Sequence, residues 1–530
     1  MLDVLIENGQ VVDGTGRPAF RADVGIASGR IADVGELGGR AAARKIDASD
    51  LYVCPGIVDM HTHSDLQPLV HPEHHCKVRQ GVTLEVIGQD GLGYAPTTDT
   101  VMAQLRRQLA GWNDDPPGFD FGFRTIDEYL ARFDGRTSVN VAYLVPHGTL
   151  RMIAVGMDDR PATAAELARM KELVADGMDR GAVGLSSGLT YVPGMFAGDD
   201  ELVELCKAMK PYGGFYCPHH RNYGPKAIEA YAACIDIARR AGVPLHLAHA
   251  HVSFECNRGR AVELVQMIDA ARAEGTEVSF DAYPYVVAAT YLHAVFPSWA
   301  SAGGHAATVA RLRDPALRDR FRHELETAGS DGFHGLTVDW SRIVISGVRR
   351  EENRRFVGMD VAAAASAAGR PAVDFACELL ADEELGVSAL LHIGIEENVR
   401  TMLSHPAQMG GSDGILVGDR PHPRGWGSFA RYFAEYVRRL GLVGWEEMVR
   451  RLTSAATARL GLVDRGELRA GMAADVVCFH PATVRDTATY ENPRSYPEGI
   501  PYVLVNGAIV VDGGQHTGAL PGRALRRARV

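Results

Sequence analysis

Two histidines stand one residue apart in VCPGIVDMHTHSD, residues 53–65, where an apolar run gives way to acid. The run LYVCPGIVDM reads as a short buried strand. Side chains alternate along a strand, so His61 and His63 point the same way at its C-terminal end. Two imidazoles on one face make half of a site for Zn²⁺ or a related divalent ion. The pair alone is a weak signal. With 20 His in 530 residues, chance supplies roughly one such spacing somewhere. Four more strand-like runs end in the same chemistry, however. GQD ends in Asp90, PHHRN carries His219, His220 and Arg221, AHAH carries His249 and His251, and GSDG carries Asp413. A lone strand-end His is more often structural, and Asp before Gly is usually a turn residue. Five such ends in one chain point to a metal site, beside which Asp413 can carry a proton from a water to a leaving group.

These residues need a frame that gathers strand ends. Apolar runs alternate with amphipathic stretches such as TAAELARMKELVADGMDRG and GPKAIEAYAACIDIARRAG. Beginning with the run before His61, the others are GVTLEVIG, SVNVAYLVPHG, GAVGLSSG, GGFYCPHH, VPLHLAHAHV, TEVSFDAYPY and AQMGGSDG. Eight βα units predict a (β/α)8 barrel, whose active site lies at the C-terminal strand ends. The stretch 286–408 is too long for one crossover helix and predicts an insertion. Both chain ends have a different texture: short alternating runs cut by Asn-Gly, Asp-Gly and Ser-Gly, which are hairpin signals.

Composition narrows the partners. Hydrophobic residues make up 46% and charged residues 23%, with a net charge of −11, as in an ordinary soluble protein. No Lys/Arg stripe marks a nucleic-acid surface, and the basic tail GRALRRARV reads as a solvated end. Asp3 and Glu7 interrupt any apolar leader, and no run is long enough to span a membrane. The eight cysteines are scattered without paired spacing, which predicts reduced thiols and a cytoplasmic protein. The expected partner is a small-molecule substrate. Oligomeric state is not readable.

Seven ordered segments carry a resemblance over nearly the whole chain: PGIVDMHTHSD, KVRQGVTLEVIG, NVAYLVPHGTLR, GLSSGLTYVPGMFA, EENVRTMLSHPAQMGGSDG, HPRGWGSFAR, and the end from GELRAGMAADVVCF to TGALPGRALRR. The chain resembles the metal-dependent amidohydrolases, and among them the D-aminoacylase (N-acyl-D-amino-acid deacylase) family. The resemblance implies a small β-sandwich built from residues 1–54 and 466–530 beside a barrel at 55–465, with an insertion at about 286–385 helping to cover the site. It implies one tight zinc and often a second, weaker metal. His219 and His249 would hold the tight ion with a ligand from the second strand end, and His61 and His63 the other. Asp413 would be the proton shuttle. Tyr191, Tyr283 and Arg424 fall where relatives contact substrate, Arg424 facing its carboxylate.

The chain departs from that pattern. Relatives have GNCG at the second strand end, with a cysteine ligand; here GQDG places Asp90, either a bridging carboxylate or only a turn residue. His251 replaces a lysine that helps hold the substrate carboxylate. His220 takes a slot that is usually apolar, and a packed role suits it. AVGLSSGLTY lacks the lysine that hydantoinases carbamylate. The resemblance implies hydrolysis of the amide bond of N-acyl-D-amino acids, the D-preference coming from it alone. The same chemistry on a cyclic amide, a carbamate or a neutral N-acyl compound is the alternative, and a non-catalytic binding protein is the reading from another class.

Overall fold

The computed structural model describes residues 1–527; the last part of the basic tail, residues 528–530, lies outside them. The chain opens with β1 (Leu2–Val11), β2 (Phe20–Ala27), β3 (Arg30–Gly35), β4 (Ala42–Asp47) and β5 (Tyr52–Pro55). Ser28 and Gly29, with φ of 51° and 74°, close the β2–β3 hairpin in the left-handed conformation that tight hairpins favour.

The single strand expected for LYVCPGIVDM is two strands in two sheets. β5 ends in the terminal sheet, and β6 (Ile57–Asp59) opens the barrel. Gly56 makes the break possible because the chain there runs against β7: a Cβ would lie 2.1 Å from Thr83 Oγ1.

The barrel continues through β7 (Val82–Ile87), β8 (Asn140–Pro146), β9 (Gly184–Gly188), β10 (Phe215–His219), β11 (Leu245–Leu247) and β12 (Val278–Asp281). Every residue of β7 to β12 is buried, as a sheet covered on both faces requires. The crossover helix Ala164–Asp179 starts at a reciprocal cap between Thr163 and Glu166 and buries Met170, Leu173, Val174 and Met178. The insertion holds β13 (Ala288–Tyr291), β14 (Ile343–Gly347) and β15 (Ser388–Leu391), antiparallel in the order β13-β15-β14. It has its own core around Phe321, Leu325, Ile345 and Phe375. The short β16 (Gln408–Met409) completes an eight-stranded parallel sheet. Its edges meet where Met60 N donates to Gly410 O (2.9 Å), Ser412 N to His61 O (3.1 Å) and His63 N to Gly414 O (3.0 Å). The (β/α)8 barrel therefore closes through the segments that carry His61, His63 and Asp413.

β17 (Val476–Phe479), β18 (Tyr502–Val505), β19 (Ala508–Asp512) and β20 (Gln515–His516) join β1–β5 in one nine-stranded sheet, β17 pairing antiparallel with β5. Val4, Ile26, Val53, Val476 and Leu504 share its core. The tail expected to be solvated turns back onto the barrel instead. Val141 N donates to Arg523 O (3.0 Å) and Leu525 N to Val141 O (2.7 Å). Ala524 and Leu525, set among arginines, are buried. Among the described residues no helix is long and apolar enough to cross a membrane.

A buried charge cluster fastens the barrel seam. Lys77 Nζ lies 2.6 Å from Asp59 Oδ2 and 2.8 Å from Glu85 Oε1, and donates to Thr62 Oγ1 (2.9 Å) and Ser412 Oγ (3.0 Å). Burial pulls the ammonium down, but the two carboxylates outweigh it and hold it above its ordinary value. Burial pushes Glu85 up, yet His74 and Lys77 bring it to about 2. Lys77→Met leaves two buried carboxylates without their cation, which should cost about 3–5 kcal/mol. A urea unfolding midpoint that drops sharply is the expected result; an unchanged midpoint would show that the cluster adds no stability.

Candidate metal centre

Asp90 lies at the middle of the histidines singled out from the sequence. Its Oδ2 is 3.1 Å from His219 Nδ1 and 3.5 Å from His63 Nε2. Its Oδ1 is 3.4 Å from His249 Nε2 and 3.6 Å from His61 Nε2. The two nitrogens His219 Nδ1 and His249 Nε2 face one another at 3.0 Å. Asp413 Oδ1 adds a further oxygen, 3.1 Å from His63 Nε2 and 3.7 Å from His61 Nε2.

The backbone aims these groups at some cost. Asp90, His249 and Asp413 have φ of 53°, 29° and 48°, a region non-glycine residues seldom occupy and one that clusters at functional sites. Asp90 thus has the turn conformation its following glycine suggests, while its carboxylate points into the cluster. The turn packs on Gly188, where a Cβ would sit 2.0 Å from Asp90 O.

Outer partners orient the rings. Thr190 Oγ1 meets His219 Nε2 at 2.7 Å, and Tyr223 OH meets His249 Nδ1 at 2.9 Å. Asp281 Oδ2 faces His61 Nδ1 at 3.5 Å, and Trp112 packs on the His63 ring at 4.1 Å between centroids. Such partners fix which nitrogen faces inward.

The donor set fits a divalent cation. His61 Nε2 and Asp90 Oδ1 are buried without a hydrogen-bond partner, which is costly unless something else satisfies them. Ligand atoms about 2.0–2.1 Å from one tetrahedral Zn²⁺ lie about 3.3 Å apart, close to the separations here. The set is imidazole and carboxylate; the nearby Cys217 thiol instead faces Gln89 Oε1. Burial pushes Asp90 up, but His219, His249 and His61 hold its carboxyl well below the usual range. Burial opposes ionisation of Asp413 too, yet Arg424 and His63 keep it a carboxylate.

A cavity opens over the cluster, lined by His63, Asp90, His219, His249 and Asp413 below and by Ala289, Thr290 and Leu391 of the insertion above. Tyr191, His251 and Tyr283 also line it. His251 stacks on Tyr283 at 4.0 Å; burial lowers it to about 3, so it is neutral. Arg424 lies fully buried behind this lining. Its Nη1 pairs with Asp413 Oδ2 at 2.8 Å, and its guanidinium sits 4.6 Å over the Tyr283 ring. His220 turns away and packs on Tyr231 and Tyr223.

Asp281, Thr190, Tyr223 and Trp112 were missed from the sequence. Asp281 alone left a signal, as a carboxylate closing the seventh strand run. It binds His249 N (2.9 Å) and His246 Nε2 (3.1 Å) as well as facing His61.

Known proteins are similar to this chain over its full length. D-aminoacylase of Alcaligenes xylosoxydans xylosoxydans is 34% identical, the match covering 99% of this chain and 98% of that one. A solved D-aminoacylase, described for its binuclear metal centre with one-metal activation and second-metal attenuation, matches with a TM-score of 0.84 at 34% identity, over 99% of this chain and all of that one. The zinc and phosphonate-inhibitor complex of N-acyl-D-glutamate deacylase from Bordetella bronchiseptica gives 0.83 at 32% identity over 99% of both chains. Residues 44–511 match the amidohydrolase family model, and with such a span, and full-length relatives beside it, the chain belongs to the amidohydrolase family.

Proposed function

We propose that the chain is a zinc-dependent deacylase that cleaves the amide bond of N-acyl-D-amino acids. One observation carries this reading: the Asp90 carboxylate within 3.6 Å of four inward imidazole nitrogens, with Asp413 alongside. Full-length relatives named as D-aminoacylase and N-acyl-D-glutamate deacylase supply the substrate class. His219, His249 and Asp90 would hold the tight ion, and His61 and His63 a second, weaker one that shares Asp90. A carboxylate has two oxygens and can serve both. An ion bound there polarises the amide carbonyl and acidifies a water.

The remaining work falls to the chain. Asp413 holds Oδ2 against Arg424 Nη1, which leaves Oδ1, on the cluster side, to take a proton and return it to the departing amine. Asp281, Thr190 and Tyr223 keep the imidazoles turned inward. The insertion excludes bulk water from above, which strengthens every charge interaction below it. Tyr191 borders the reacting bond. Tyr283 and His251 would receive the substrate carboxylate, with Arg424 supplying positive charge from behind. A neutral N-acyl substrate is the second reading, favoured by the neutral His251 and by the pairing of Arg424 with Asp413. We take residues 1–54, 55–465 and 466–530 as the working division of the chain, and the eight free cysteines support a cytoplasmic setting.

Three outcomes check this. Asp413→Asn should retain metal and lower kcat by about 10²–10⁴-fold, the range of a lost general acid–base; activity within tenfold of the parent removes Asp413 from the mechanism. Asp90→Ala should lose metal on dialysis while Asp90→Cys regains it with a stronger zinc preference, because thiolate is the softer donor; full zinc in the Ala variant would leave Asp90 a turn residue. Across a panel of N-acetyl-D- and L-amino acids and neutral N-acetyl amines, the D-amino acids should be turned over best; preference for the neutral amines would favour the second reading.

A further inference from the structure

A second chamber adjoins the cavity over the cluster. The two share Thr190, Tyr191, Ala294 and Gly332 as a common wall. The wall is tied to the cluster itself, since Thr190 bonds His219 and the Tyr191 ring lies 4.8 Å from the His219 ring. Beyond it, Met157, Met195, Val192, Phe296 and Leu385 present apolar surface among two glutamines, two histidines, two serines and a threonine, and no Lys, Arg, Asp or Glu lines the pocket. A pocket lined by no carboxylate, lysine or arginine, next to a cavity that holds Asp90 and Asp413, suits an uncharged alkyl tail.

The position of the chamber selects which arm of the substrate it takes. Tyr191 packs with His219, Trp112 and Tyr291. Tyr283 packs with His251, His422 and Arg424. The two tyrosines therefore stand in separate neighbourhoods of the cluster. The proposed carboxylate end is at Tyr283. In an N-acyl-amino acid the acyl group lies across the scissile bond from that carboxylate, so the Tyr191 side receives the acyl arm.

We infer that this chamber is an acyl subsite and that the enzyme acts best on D-amino acids bearing medium-length fatty acyl groups. The inference rests on the deacylase reading. The bond broken is the amide C–N; water supplies OH to the acyl carbon and a proton to the amine, releasing a fatty acid and a free amino acid.

The test uses the zinc-loaded full chain and N-acetyl-, N-butanoyl-, N-hexanoyl- and N-octanoyl-D-methionine. A buried methylene should raise kcat/KM by up to about fourfold. Ser301 lines the second chamber alone, and Ser301→Trp should bring the octanoyl-to-acetyl ratio down toward one. A parent series that is flat or falls with acyl length overturns the inference while leaving the deacylase reading in place. A gain that follows side-chain length at constant acetyl, from D-alanine to D-2-aminooctanoate, overturns it as well. No turnover of any member removes both readings. The series on the parent protein decides the matter even if Ser301→Trp fails to fold.

Discussion

One ammonium holds the seam on which the site is built. Lys77 reaches Thr62, between His61 and His63, and Ser412, directly before Asp413. It is compensated by Asp59 at the end of β6 and Glu85 within β7. Neither end of the barrel sheet could fix these side chains alone, because β16 has two residues and β6 three. Short strands give few ladder hydrogen bonds, and charge-assisted bonds in a dry interior supply the missing definition. His61, His63 and Asp413 thus share one support, and their spacing follows from it.

A carboxylate at Asp90, where the resemblance implies a cysteine, would alter what a metal centre asks of its surroundings. A carboxylate is a harder donor and spreads its charge over two oxygens. His219 and His63 face one oxygen, His61 the other, and His249 both, so each oxygen meets a histidine expected for the tight ion and one expected for the weaker ion. The polar groups of Thr190, Tyr223 and Asp281 then matter more, because an oxygen can be approached from many directions while the nitrogens must be aimed.

What the sequence made legible was whatever strand periodicity exposes. His61 and His63 stood out because alternation puts them on one face, and His219, His249, Asp90 and Asp413 because each closes an apolar run. The split of β5 from β6 left no such mark: hydrophobicity is continuous across Gly56, and only the approach of Thr83 reveals the break. Lys77 was invisible because a lysine in an amphipathic stretch ordinarily reaches water. The partner of Arg424 was hidden too, since an arginine's reach allows either a substrate carboxylate or Asp413. The tail misled because its arginines outnumber the apolar pair, Ala524 and Leu525, that packs inward.

The terminal sheet also sets an order of events during synthesis. β5 gains its antiparallel neighbour β17 only when nearly all of the barrel has been translated. At about 5–20 residues per second, that wait is on the order of tens of seconds. Until then the edge of β5 offers unpaired amide and carbonyl groups to any passing strand. The barrel rim beside Val141 likewise waits for Arg523 and Leu525. Both the early edge of β5 and the rim beside Val141 therefore stay open until residues translated several hundred positions later arrive to cover them.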